Sequence, residues 1–350
     1  MTRSLAVPIL GVALLLGLAA PLRAAPPGDN SEGTPVFKET DPYDHPDRKE
    51  PSFWHRPSAK TPAAQLELIR HYVQEDRRSR AIRACDALVR KWHDAPEAVK
   101  AQEVMARLLE ADGDYERAFA EYQYLVVYFA GQYDYLGALE HQLRCADAVR
   151  TADHTFLWIT VESLEPARRM YEHILLNGPR WEKAPQVALM IGMIRETEDE
   201  FLEAIEAYEQ VQNRFPGTDA ARDAAFHAAS CRYQIASHHA RDVQSRNHAS
   251  AALAAFVQAY PLDPRVKQAS AWRAELEQQE MDAAFTRAQF YDRQRQDPEA
   301  AKVAYREFLR RFPDAPRAKE AAARLQKLEA GAPATPAAPR QGDATHENVR

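Results

Sequence analysis

Histidines, cysteines and close carboxylates are the side chains here that could hold a metal or attack a substrate. His141 and Cys145 lie four apart, so on a helix they share a face and could give a zinc ion two ligands. Two ligands do not make a site, and a buried thiol near a surface histidine accounts for the same spacing. His238 and His239, with His248 nearby, crowd one polar, basic stretch that could sense acid or bind metal. A solvated loop is the plainer account. Asp112 and Asp114 begin like a calcium loop, but the later oxygen ligands fail to follow. The chain has no HExxH, no GxSxG, no phosphate-binding GxxxxGKS/T and no paired CxxC. The expectation is no catalytic residue, no cofactor, no metal and no enzymatic activity.

The elements that must position these residues are helices. In AKVAYREFLRRFP, Ala301, Tyr305 and Phe312 stand at offsets 0, 4 and 11, which project onto one helical face that Pro313 then ends. The same skeleton recurs at Ala249, Leu253 and Tyr260; at Ala204, Tyr208 and Phe215; and at Ala118, Tyr122 and Phe129. Weaker copies are Ala81, Cys85, Trp92 and Ala167, Tyr171, Gly178. Cys85 thereby fills an aromatic slot and belongs to the core. Six copies spaced by roughly 37 to 52 residues are the mark of stacked helical pairs, none of which buries its apolar face alone.

These residues resemble the second helix of the tetratricopeptide repeat. Gly192, twelve before Ala204, falls where that repeat keeps its small first-helix residue, and Gly113-Asp114-Tyr115 resembles its inter-helix turn. The FP and YP endings and the segment from Met281 to Gln326 resemble, more narrowly, the BamD family of outer-membrane assembly proteins, from about Glu165 to Leu328. The resemblance implies an all-α, tetratricopeptide-like superhelix of about six helix pairs. It also implies a scaffold whose C-terminal repeats dock the central component of a barrel-assembly complex while the N-terminal repeats face substrate.

Composition agrees with such a frame: 350 residues, 45% apolar, 27% charged and only 12 Gly. Residues 1–24 read as a secretory signal, with Arg3 before an apolar run from Leu5 to Ala20 that is short for a bilayer span of about 20 residues. The BamD family carries a lipid-modified cysteine just after its signal, whereas the first cysteine here is Cys85. Attachment is therefore expected to be indirect, through partners, or through an uncleaved signal. Residues 25–61, rich in Pro and charge, read as an extended or disordered arm, in which Phe53, Trp54 and His55 could dock. N-terminal repeats follow over 62–164, BamD-like repeats over 165–330 and a disordered tail over 331–350. The formal charge of −6 argues against nucleic acid as a partner.

Recognition by shape remains, and the binding residues must be those the repeat skeleton does not use. For an inner groove lined by first helices these are Gln102, Arg107 and Arg195; for a docking edge they are Arg287, Arg293, Arg295, Lys302 and Arg306. The expected role is a periplasmic scaffold peripheral to the outer membrane, binding barrel-assembly subunits and unfolded outer-membrane proteins or peptides. The competing expectation is a periplasmic adaptor that organises peptidoglycan synthesis or envelope division.

Overall fold

The computed structural model describes residues 43, 48, 56–152, 155–156, 159–160, 163–239 and 242–331. Six helix pairs and a final helix follow in order. The pairs are α1 (Pro62–Gln74) with α2 (Arg78–Lys91), α3 (Pro96–Ala111) with α4 (Tyr115–Tyr128), and α5 (Tyr135–Thr151) with α6 (Glu165–Asn177). They continue as α7 (Ala184–Thr197) with α8 (Phe201–Arg214), α9 (Asp219–His238) with α10 (Val243–Ala259), and α11 (Val266–Gln289) with α12 (Pro298–Arg311); α13 (Ala318–Ala330) closes the stack. Each helix packs on the next, which is the tetratricopeptide-like superhelix expected. Among the described residues no helix is long and apolar enough to cross a membrane.

Local chemistry starts the helices. Thr61, Asp134, Thr218 and Asp297 each accept a backbone N–H from the first turn, from Ala64, Gly137, Ala221 and Ala300, and Pro62, Pro96 and Pro298 stand in first turns. The second helices then repeat one design. The alanines at offset 0 (Ala81, Ala118, Ala167, Ala204, Ala249, Ala301) and the residues at offset 4 (Cys85, Tyr122, Tyr171, Tyr208, Leu253, Tyr305) are all buried. Offset 7, which the sequence pattern passes over, is equally buried: Leu88, Leu125, Ile174, Val211, Phe256 and Phe308. Offset 11 is instead the C-cap, where Trp92, Phe129, Gly178, Phe215, Tyr260 and Phe312 each donate a backbone N–H to the offset-7 carbonyl. The position five residues before the leading alanine turns left-handed in four copies: Asp76, Gly113, Asp199 and Gln296. Only Gly113 meets that requirement without side-chain strain.

First helices serve two cores at once. In α7, Val187, Ile191 and Ile194 face back while Ala188 and Leu189 face forward; in α9, Ala224 and Cys231 face back while Phe226 and Ala236 face forward. Successive first helices, such as α1 with α3 and α7 with α9, also touch. Grooves remain between the second helices α8 and α10 and between α10 and α12.

One reading needs correction. The connection expected over His238–His248 is shorter, because Asp242 caps α10 at Gln244 and Arg246 is buried within the helix. Over Pro264–Arg295 one helix forms, since α11 has no internal Gly or Pro and runs unbroken into a π-turn over Phe290–Gln294. Its halves nonetheless divide their work, Ala269 and Leu276 packing on α10's core and Phe285 and Ala288 on α12's. Between α5 and α6 lies a two-residue ladder, β1 (Thr155–Phe156) antiparallel to β2 (Ile159–Thr160). The signal, most of the arm including Phe53, Trp54 and His55, and the tail beyond Gly331 lie outside the described residues. Of the described arm residues, Tyr43 and Arg48 are seated against the repeats.

Candidate peptide-binding grooves

The His141 and Cys145 pair is part of a clasp between repeats. Tyr122, at offset 4 of α4, donates its hydroxyl to Glu110 at 2.7 Å, and Nδ1 of His141 lies 2.6 Å from the same carboxylate. The imidazole stacks on the Tyr122 ring with centroids 4.7 Å apart. The arrangement recurs 86 residues on, with Tyr208 donating to Glu196 at 2.6 Å and His227 2.8 Å from that carboxylate. Cys231 repeats Cys145. Burial pushes both thiols up to about 12, so they stay protonated and unreactive at neutral pH. Burial works to raise the Glu110 and Glu196 carboxyls too, but the hydrogen bonds from tyrosine and histidine outweigh it and hold both below the usual range. Among the described residues no cluster of three or more such side chains could hold a metal ion.

Two surfaces with room for a ligand are grooves between second helices. One, of about 610 Å³, lies between α8 and α10 over α9. Its floor is Ala225, Ala228 and Ala229, and its walls include Glu209, Arg232, His248, Ala252, Ala255 and Phe256. The next, about 470 Å³, lies between α10 and α12 over α11, with Arg246, Arg273, Glu277, Glu280 and Arg311 on its walls. Small residues on α10 leave the trough, and alternating acids and bases line it. That arrangement suits an extended chain, whose backbone offers both donors and acceptors.

The equivalent grooves of the N-terminal repeats hold Tyr43 and Arg48. Arg48 lies between α2 and α4, forking onto Glu121 at 2.7 and 2.9 Å with Asp86 3.7 Å away and its guanidinium 4.8 Å from the Tyr124 ring centroid. Gln102, rising from α3 beneath, donates to the same carboxylate at 2.7 Å. Tyr43 lies between α4 and α6, edge-on to Phe119 at 4.9 Å and His173 at 5.6 Å, its hydroxyl donating to the Pro166 carbonyl at 3.4 Å.

The residues expected to bind partners separate accordingly. Gln102 is not offered to a partner: it is fully buried and supports Glu121. Lys302 is also buried, 6% exposed, and pairs with Glu299 at 2.8 Å, because its position directly follows the alanine socket. Arg306 is exposed but spans to Glu329 on α13. Arg195 is half-buried at the end of α7, and Arg107 is exposed on α3. Arg287, Arg293 and Arg295 are exposed and sit together along the end of α11 and the π-turn. Sequence reasoning missed Tyr43, Arg48, Glu121 and Asp86. The available signal was Glu121 itself, the lone acid in the run AFAEYQYLVVYF.

Residues 188–325 match the family model of the tetratricopeptide repeat. The C-terminal part of a repeat-containing protein from Cytophaga hutchinsonii is 13% identical, with 75% of this chain and 88% of that one covered, at a TM-score of 0.31. A tetratricopeptide repeat protein from Parabacteroides merdae is also 13% identical, with 77% of this chain and 99% of that one covered, at a TM-score of 0.29. No curated protein matches the chain.

Proposed function

We propose that this protein is a repeat scaffold of the periplasm, peripheral to the outer membrane, that helps a barrel-assembly complex fold and insert outer-membrane β-barrel proteins. Its work is protein–protein binding, the use to which tetratricopeptide-like stacks are generally put. The observation that carries this reading is the pair of consecutive grooves over α9 and α11, each with space for an extended chain and neither required by the core. The BamD-like order of the last copies and the signal-like residues 1–24 support the envelope setting. Arg287, Arg293 and Arg295 form the docking edge for the complex, and Arg107 and Arg195 contribute to the first-helix face.

Affinity isolation from solubilised envelopes tests the proposal. Recovery of barrel-assembly subunits together with the protein is the expected result. Repeated recovery of envelope partners with no barrel-assembly subunit among them would overturn it.

A further inference from the structure

We propose that the second-helix groove across α2, α4 and α6 is a binding site for an extended polypeptide carrying an arginine five residues after an aromatic. Tyr43 and Arg48 are its resident occupants in cis. The inference does not depend on where the protein acts, and it concerns grooves other than those that carry the proposed function.

The site is built around charge that must be answered. The side chains of Glu121 and Asp86 are 10% and 13% exposed and both face Arg48, at 2.7 and 3.7 Å, while Asp86 also pairs with Arg90 at 2.8 Å. Without Arg48 the Glu121 carboxylate would lose its forked partner so far from water, which is costly, so an emptied groove draws in another cation. Recognition is geometric as well. Glu121 takes both arms of the guanidinium fork, the Tyr124 ring lies against it, and the Tyr124 hydroxyl accepts the backbone N–H of Arg48 at 3.1 Å. One groove along, Phe119, His173 and the Pro166 carbonyl close on a phenol ring that is 4% exposed. Five residues of extended chain reach about 17 Å, enough to cross one second helix and join the two anchors.

Tyr43 and Arg48 precede α1 in the same chain, so as occupants they are tethered ligands. The register is general too. Asp86 stands five residues after Ala81 as Glu209 does after Ala204, and Glu121 and Tyr124 stand three and six after Ala118 as Ala252 and Ala255 do after Ala249. The N-terminal groove is therefore the α8/α10 groove with its occupant in place, furnished with an acid where the other has alanine.

The test uses the full chain and a fluorescein-labelled peptide of residues 39–56, read by anisotropy. A tether holds the cis occupant at an effective concentration of the order of millimolar, so the wild-type chain is expected to bind the peptide weakly. The Tyr43→Ala/Arg48→Ala chain is expected to bind it at least tenfold more tightly, and a peptide with Arg48→Ala is expected to lose that gain. Unchanged affinity in a double variant that keeps its helical circular dichroism and a cooperative melt overturns the proposal, as does equal binding of the Arg48→Ala peptide. If the double variant does not fold, Arg48→Lys keeps a cation on Glu121 while losing the fork. That chain is expected to show a gain of about threefold, and absence of any gain in it also overturns the proposal.

Discussion

The socket at Gly192 can be tested by adding one methyl group. A Cβ there would stand 2.5 Å from Cε1 and 2.6 Å from Cδ1 of Tyr208, well inside contact distance, so the ring would have to retreat by about 1 Å. Tyr208 has nowhere to go: it is fully buried, donates to Glu196 at 2.6 Å and stacks on His227 at 5.4 Å. Overpacking of this kind costs about 1–3 kcal/mol, and weakening a hydrogen bond to a carboxylate adds about 1 kcal/mol. Against this, alanine gains about 1 kcal/mol over glycine in a helix interior. Gly192→Ala is therefore expected to destabilise by about 2 kcal/mol, measured as a lower urea midpoint by circular dichroism at 222 nm. In a Tyr208→Leu background the obstructing ring is gone, and the same substitution is expected to stabilise by about 0.5–1 kcal/mol. A rise in midpoint for Gly192→Ala in the otherwise native chain would refute the knob-and-socket reasoning.

Acid should weaken the fold in steps that follow its carboxylates. Glu110 and Glu196 titrate below their unfolded range, so the stability they confer is complete above about pH 4.3 and lost as the pH falls below it. Arg265 holds Asp263 down to about 2, so that contribution fades between about pH 3.9 and pH 2. Urea midpoints across pH 7 to 2.5 check both, and Glu110→Gln with Glu196→Gln should flatten the upper part of the profile. Cys85, Cys145 and Cys231 are buried free thiols, and an aromatic disulfide reagent at pH 8 should label none of them until denaturant is added. Reversing Arg287, Arg293 and Arg295 to glutamate should abolish co-isolation of the docking partner at unchanged melting temperature, because all three side chains stand outside the core.

The repeat was legible in the chain because its signals are local. Ala301, Tyr305 and Pro313 stand within one helix and its stop, and the spacing of alanine and aromatic is fixed by the helical turn, whatever surrounds it. That sufficed for the six pairs. It did not separate offset 7 from offset 11, since both project near the same face. Only the packed neighbour decides that Phe308 is core while Phe312 is a cap.

Longer relations were on the page without being readable. Glu110, Tyr122, His141 and Cys145 recur as Glu196, Tyr208, His227 and Cys231, yet nothing in that list says that three of each four bond to one another across pairs. Gln102 reads as a surface polar residue because a helix pattern shows which face is apolar, not how far a neighbour's acid reaches over the rest. The seating of Tyr43 and Arg48 spans 123 residues to Pro166 and 73 to Glu121. Contacts at such separations come from stacking whole helices, which is why the helices could be foreseen from sequence alone and the grooves between them could not.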